Sequence, residues 1–116
     1  MSDQSAQTDR SRTVILDDER VDDLQLHRLR IIQKKNGFRF GMDAVLLSDF
    51  ARVEPRDRAA DFGTGTGILP LLISGRGRGE HFDAFEVQDD MADMAMRSVL
   101  LNSLEDILDM LRDAVN

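Results

Sequence analysis

Residues 59–67, AADFGTGTG, constrain this chain more than any other stretch. A short apolar run ends in an acid, Asp61, after which glycine recurs at every second position, Gly63, Gly65 and Gly67. Glycine takes positive φ freely and has no Cβ to hold a ligand off the backbone, so a strand that ends this way and opens a helix is a nucleotide-binding turn. Residues 58–62 supply the strand and 68–74 the helix, with Pro70 tolerated in its first turn. The next apolar run, residues 81–87, carries Glu86 about 20 residues past the loop, where an acid can hold ribose hydroxyls.

The spacing and the acids sort the ligands. No Gly-Lys-Ser/Thr follows, which rules out a Walker phosphate loop. A dinucleotide turn is G-x-G-x-x-G, and here the pattern is G-x-G-x-G. Asp61 at the mouth of the loop repels a diphosphate and attracts the ammonium and sulfonium of S-adenosylmethionine. The glycines alone are equally consistent with a tight strand-to-helix turn in which Asp61 caps the helix. The flanking strand and helix, with Glu86 at its distance, favour cofactor binding.

At 116 residues the chain is one small domain. It contains no cysteine, so disulfides and thiolate chemistry are excluded. Two histidines, His27 and His81, far apart in sequence, do not suggest a metal cluster, and none is expected. The polar first residues have no leader pattern, and no apolar run reaches the roughly 20 residues of a membrane span. A cytoplasmic protein with no membrane contact is expected. The net charge of -7 argues against a protein that coats nucleic acid indiscriminately. Yet Arg28, Arg30, Lys34, Lys35 and Arg39 fall in a stretch with no acid, either a solvated face or a patch for RNA phosphate. Arg76 and Arg78, in GRGRG, read as a connecting loop.

Along the chain, residues 1–20 read as a disordered tail and 21–116 as the domain. Leu24, Leu26, Leu29 and Ile31 suggest strand, and Asn36-Gly37 a turn, so residues 24–40 read as a hairpin. Asp43 caps an expected helix over 44–51, with Val45, Leu46, Leu47 and Phe50 inward. Residues 89–101 place Met91, Met94, Ala95, Ser98 and Leu101 at helical spacing, as core rather than a metal box. Leu104, Ile107, Leu108, Leu111 and Val115 predict a last helix. The fold class is α/β, a partial Rossmann-like βαβα domain preceded by a hairpin and a helix.

AADFGTGTGILPLLIS resembles motif I of class I S-adenosylmethionine-dependent methyltransferases, and FDAFEVQDDMADMAMRSVLLN resembles the strand and helix that follow it. The upstream DDLQLHRLRIIQKKNGFRFGMDAVLLSDFA is similar to the N-terminal region of bacterial methyltransferases that modify adenine N6 in valine tRNA. The resemblance covers roughly residues 21–104. It implies that Asp61, Gly63, Gly65 and Gly67 line the methionine end of S-adenosylmethionine and that Glu86 holds its ribose. It also implies that Phe40, Gly41 and Asp43 cover the cofactor, and that the basic hairpin from Arg28 to Arg39 touches tRNA.

Base-modifying enzymes must orient the amine and stack the ring. The resembled family does so with an Asn-Pro-Pro-Tyr element. The only prolines here are Pro55 and Pro70, neither preceded by Asn, and there is no tyrosine. No catalytic residue is therefore assigned, and the sequence reads as a truncated, cofactor-binding half without autonomous activity. After residue 104 the family continues with a strand and an acid that contacts the cofactor's adenine, a role for which Asp109 or Asp113 would need an extended segment. The alternative is a non-catalytic remnant or an interaction module that self-associates through an uncovered sheet edge.

Overall fold

The computed structural model of the protein describes residues 13–36 and 42–111. A hairpin of β1 (Glu19–Asp23) and β2 (Arg30–Lys34) comes first, then helix α1 (Met42–Phe50). Next come β3 (Arg58–Phe62), α2 (Ile68–Gly75), β4 (His81–Phe85), α3 (Asp89–Leu101) and β5 (Leu108–Leu111). Strands β3, β4 and β5 form a parallel sheet in that order, with Asp61 opposite Ala84 and Phe85 opposite Leu111. Parallel pairing gathers the strand C-termini along one edge, where open α/β sheets bind ligands, and the glycine loop leaves from that edge. The core joins Ile31, Leu71, Ile73, Phe82, Ala84, Val99 and Leu108. A second cluster of Ile32, Met94 and Leu101 seats the hairpin on α3.

The expected α/β order holds, and three details differ. The hairpin lies earlier than its leucines suggest, because β1 pairs antiparallel with β2 and residues 24–29 form the turn. Leu26 and Leu29 are drawn to the end of α2. A Cβ on Gly75 would stand only 2.6 Å from Leu29 and 2.9 Å from Leu26, so their alternation reflects helix packing rather than a pleat. β1 also begins inside the segment expected as tail; the first 12 residues of that tail lie outside the described residues. The expected last helix is strand β5 up to Leu111, and residues 112–116 lie outside the described residues. A single turn, with Leu108 N–H donating to Leu104 O, imitates a helical period before the chain pairs with β4. In α1, Leu46, Leu47 and Phe50 are 55%, 53% and 82% exposed rather than inward. Consecutive apolar residues define no face, and the helix turns Ser48 inward instead.

The free edge of β2 is closed by a helix. Ser98 Oγ accepts from Ile32 N–H at 2.9 Å, and Asn102 Oδ1 accepts from Arg30 N–H at 2.8 Å while its amide donates to Arg30 O at 2.6 Å. Ser98 and Asn102 are four residues apart, one helical turn, which matches alternate residues on an adjacent strand. Arg97 ties the other strand down. Its guanidinium grips both oxygens of buried Glu19 at 2.6 Å and also reaches Asp93 and Val14 O. That grip holds the Glu19 carboxyl below the usual range. Among the described residues no helix is long and apolar enough to cross a membrane.

Candidate cofactor-binding site

Gly63, Gly65 and Gly67 have φ of 76°, 61° and 85°, the left-handed region that disfavours any Cβ. They do two different jobs. A Cβ on Gly63 or Gly65 would meet nothing within 4 Å, so those two leave open space above the loop. A Cβ on Gly67 would stand 3.4 Å from Ala95 Cβ, so its bareness lets α2 start against α3.

Glu86 fixes the loop's shape. Buried at the end of β4, it accepts Gly65 N–H on Oε1 at 2.8 Å and Gln88 N–H on Oε2 at 3.0 Å. Gly63 and Thr64 donate to Phe85 O, so with the Gly65 bond the loop hangs from the same strand end by three bonds. A carboxylate offers about four acceptor positions, which leaves two for a ligand.

A cavity of about 260 Å³ opens over the loop, lined on one side by Asp61, Gly63 and Gly65 and on the other by Asp43 and Leu47 of α1. Asp61 Oδ2 and Thr64 Oγ1 are buried there, near each other but outside hydrogen-bond geometry, and neither has a partner among the described residues. Burial pushes the Asp61 pKa up, the Thr64 hydroxyl pulls it partly back, and the charge of Glu86 raises it further. An orphaned buried acceptor costs stability unless something donates to it, and the second carboxylate makes the preferred donor a cation. The ammonium of S-adenosylmethionine can donate to that oxygen and its sulfonium adds positive charge nearby; a diphosphate supplies neither.

Phe40, Gly41 and Arg39 lie outside the described residues. Gln33 of β2 and Met91 of α3 also line the cavity, which sequence reading did not foresee. Gln33 is fully buried in a stretch dominated by basic residues; it pairs opposite Arg20 in the hairpin and its amide donates to Asp22.

Among the described residues, the basic side chains are spread along the hairpin. Arg28 and Arg30 are exposed at the turn end of the hairpin, whereas Lys34 and Lys35 stand at its far end, some 13 Å along β2 at about 3.3 Å per residue. Lys34 is paired with Asp18 at 2.7 Å. His27 is exposed in the turn. His81 lies 3.1 Å from Asp109 and 3.3 Å from Asp83, with Arg58 also against Asp83, at the end of the sheet away from the loop. Asp109 is thus in a strand but its carboxylate points to His81, and Asp113 lies outside the described residues.

No family model matches the chain. In sequence it is 32% identical over 75 residues to the tRNA1(Val) (adenine(37)-N6)-methyltransferase of Flavobacterium johnsoniae, covering 64% of this chain and 32% of that protein. The match to the Bacteroides thetaiotaomicron protein of the same name is 27% over 89 residues, covering 76% of this chain and 38% of the relative. The chain thus spans about a third of the length of these curated relatives. In structure it superposes on aTrm5 in its complex with tRNALeu with a TM-score of 0.67, at 13% identity, over 85% of this chain and 30% of that one. That likeness shows the fold. The sequence matches make the chain similar, over part of its length, to the tRNA1(Val) (adenine(37)-N6)-methyltransferases.

Proposed function

We propose that this chain is the S-adenosylmethionine-binding part of a tRNA methyltransferase that acts on adenine N6. The observation that carries the reading is Asp61, a half-buried carboxylate with one buried oxygen unpartnered among the described residues, beside a loop whose bare glycines leave room for a ligand. In this reading Asp61 receives the ammonium end of the cofactor, Gly63 and Gly65 let it lie against backbone, and the remaining acceptor positions of Glu86 take the ribose hydroxyls. Asp43, with Phe40 and Gly41 before it, covers the ligand. S-adenosylmethionine supplies the electrophilic methyl group. The residues of this chain bind and orient it, and no residue here is assigned to the adenine. The names of the sequence relatives support the tRNA substrate. In this reading the basic hairpin from Arg28 to Arg39 meets its phosphates from the Lys34 and Lys35 end, which adjoins Gln33 in the cavity wall, in a cytoplasmic setting.

Calorimetric titration with S-adenosylmethionine, with NAD as competitor class and Asp61→Asn as control, tests the proposal. It expects binding of S-adenosylmethionine alone, weakened in the variant. Equal binding of NAD, or none of either by a folded chain, would overturn it. A second reading, an interaction module, is favoured by β3: it is a sheet edge among the described strands, with Phe62 72% exposed at its end. A sedimentation experiment that finds only monomer over a wide concentration range removes self-association.

A further inference from the structure

The two arginines of the GRGRG loop point at α1. Arg76 Nε donates to buried Ser48 Oγ at 3.1 Å, and its two terminal nitrogens reach Asp49 Oδ1 and Val45 O, both at 3.4 Å. Arg78 donates from one nitrogen to Asp49 O at 3.1 Å and Ala51 O at 3.2 Å. The carbonyls of Asp49 and Ala51 belong to the last turn of α1 and the residue after it, where the orphaned acceptors and the negative end of the helix dipole lie. α1 has no basic residue in that turn. The loop after α2 supplies the missing cations.

α1 packs chiefly on α2. Its far end carries Asp43, which lines the same cavity as Asp61. α2 starts directly after Gly67 and ends next to Arg76, so one short helix connects the glycine loop to the clamp. At about 1.5 Å per residue α1 is roughly 13 Å long, and a small rotation at the clamped end becomes a displacement of ångströms at the Asp43 end. A misplacement of that size in a binding constellation is costly.

We infer that Arg76 and Arg78 are positioning residues for the cofactor site: they clamp the C-terminal end of α1 and thereby set the wall that Asp43 and Leu47 form over the glycine loop. This rests on the reading of that cavity as the S-adenosylmethionine site. Neither arginine touches the ligand. The geometry also assigns the loop's positive charge to the fold rather than to RNA.

The test measures three quantities on wild type, Arg76→Ala, Arg78→Ala and the double variant: affinity for S-adenosylmethionine, amide exchange in α1, and the unfolding midpoint. The expected result is a fall in affinity of about fivefold or more in the double variant, with faster exchange confined to α1 and the midpoint nearly kept. Arg78→Lys, which retains a donor and the charge, restores most of the affinity. Faster exchange in α1 with unchanged affinity would overturn the inference and leave the arginines a purely structural cap. Unchanged exchange would overturn it too. If folded wild type binds no S-adenosylmethionine, the site reading itself falls, and the inference with it. Should the double variant not fold, the single variants and Arg78→Lys decide the question by the same comparison.

Discussion

At the scale of single residues, function and stability pull Asp61 in opposite directions. Its carboxyl is partly buried beside Glu86, and its raised pKa means that ionising it costs the folded state. Asp61→Asn removes that charge and keeps the shape. The ligand-free variant is therefore expected to melt at the same temperature or higher at neutral pH. Its affinity for S-adenosylmethionine should fall about tenfold to a hundredfold, the range for a lost hydrogen bond to a charged group. Thermal denaturation and calorimetry on one preparation check both, and a variant that loses stability but keeps affinity contradicts the assignment. The glycines separate in the same way. Gly63→Ala puts a methyl into open space and costs roughly 1–2 kcal/mol of backbone strain, so its main effect should be on binding. Gly67→Ala adds the approach to Ala95 to the same strain and should lose more stability, read as a lower urea midpoint.

At the scale of elements, the seam between β2 and α3 depends on two polar side chains. Ser98→Ala leaves the buried N–H of Ile32 without an acceptor, and Asn102→Ala frees both backbone groups of Arg30. Each change should cost about 1–3 kcal/mol, measured as a shift of the urea midpoint, and no shift would contradict the seam. These two residues also show what was legible. The sequence placed Ser98 on the inward helix face and Asn102 at the helix end, because periodicity reports burial. It could not report that the partner is a strand edge. Likewise β1, ERVDD, has a single apolar residue, so no alternation announced it, and its place is set by pairing with β2 and by Arg97. The glycine loop, β3, β4, α2 and α3 were readable because local chemistry and tertiary role agree there. The orphaned oxygen of Asp61 and the inward turn of Gln33 depend on what packs around them, which no local pattern encodes.

At the scale of the whole molecule, the ion pairs set a pH dependence. Glu19 is depressed below the ordinary Glu value of 4.5, first by its hydrogen bonds from Arg97. A carboxyl depressed in the folded state contributes stability that is complete above that ordinary value and disappears as pH falls through the depressed one. Asp61 acts in the opposite sense, since its raised pKa favours folding in acid and the benefit is lost as pH rises through the folded value. Urea midpoints are thus expected to fall on acidification below about pH 4.5. The fall should be shallower in Glu19→Gln, and a profile identical to wild type would contradict the role of the pair.

The central claim is that the cavity over the glycine loop holds S-adenosylmethionine. The most direct test is a titration of the 15N-labelled chain followed by amide shifts. Perturbations centred on Gly63, Thr64 and Gly65, extending to Asp43 and Ala44 at the near end of α1, are the expected result. Saturation without change at those amides, or shifts confined to the exposed end of β3 around Phe62, would contradict it.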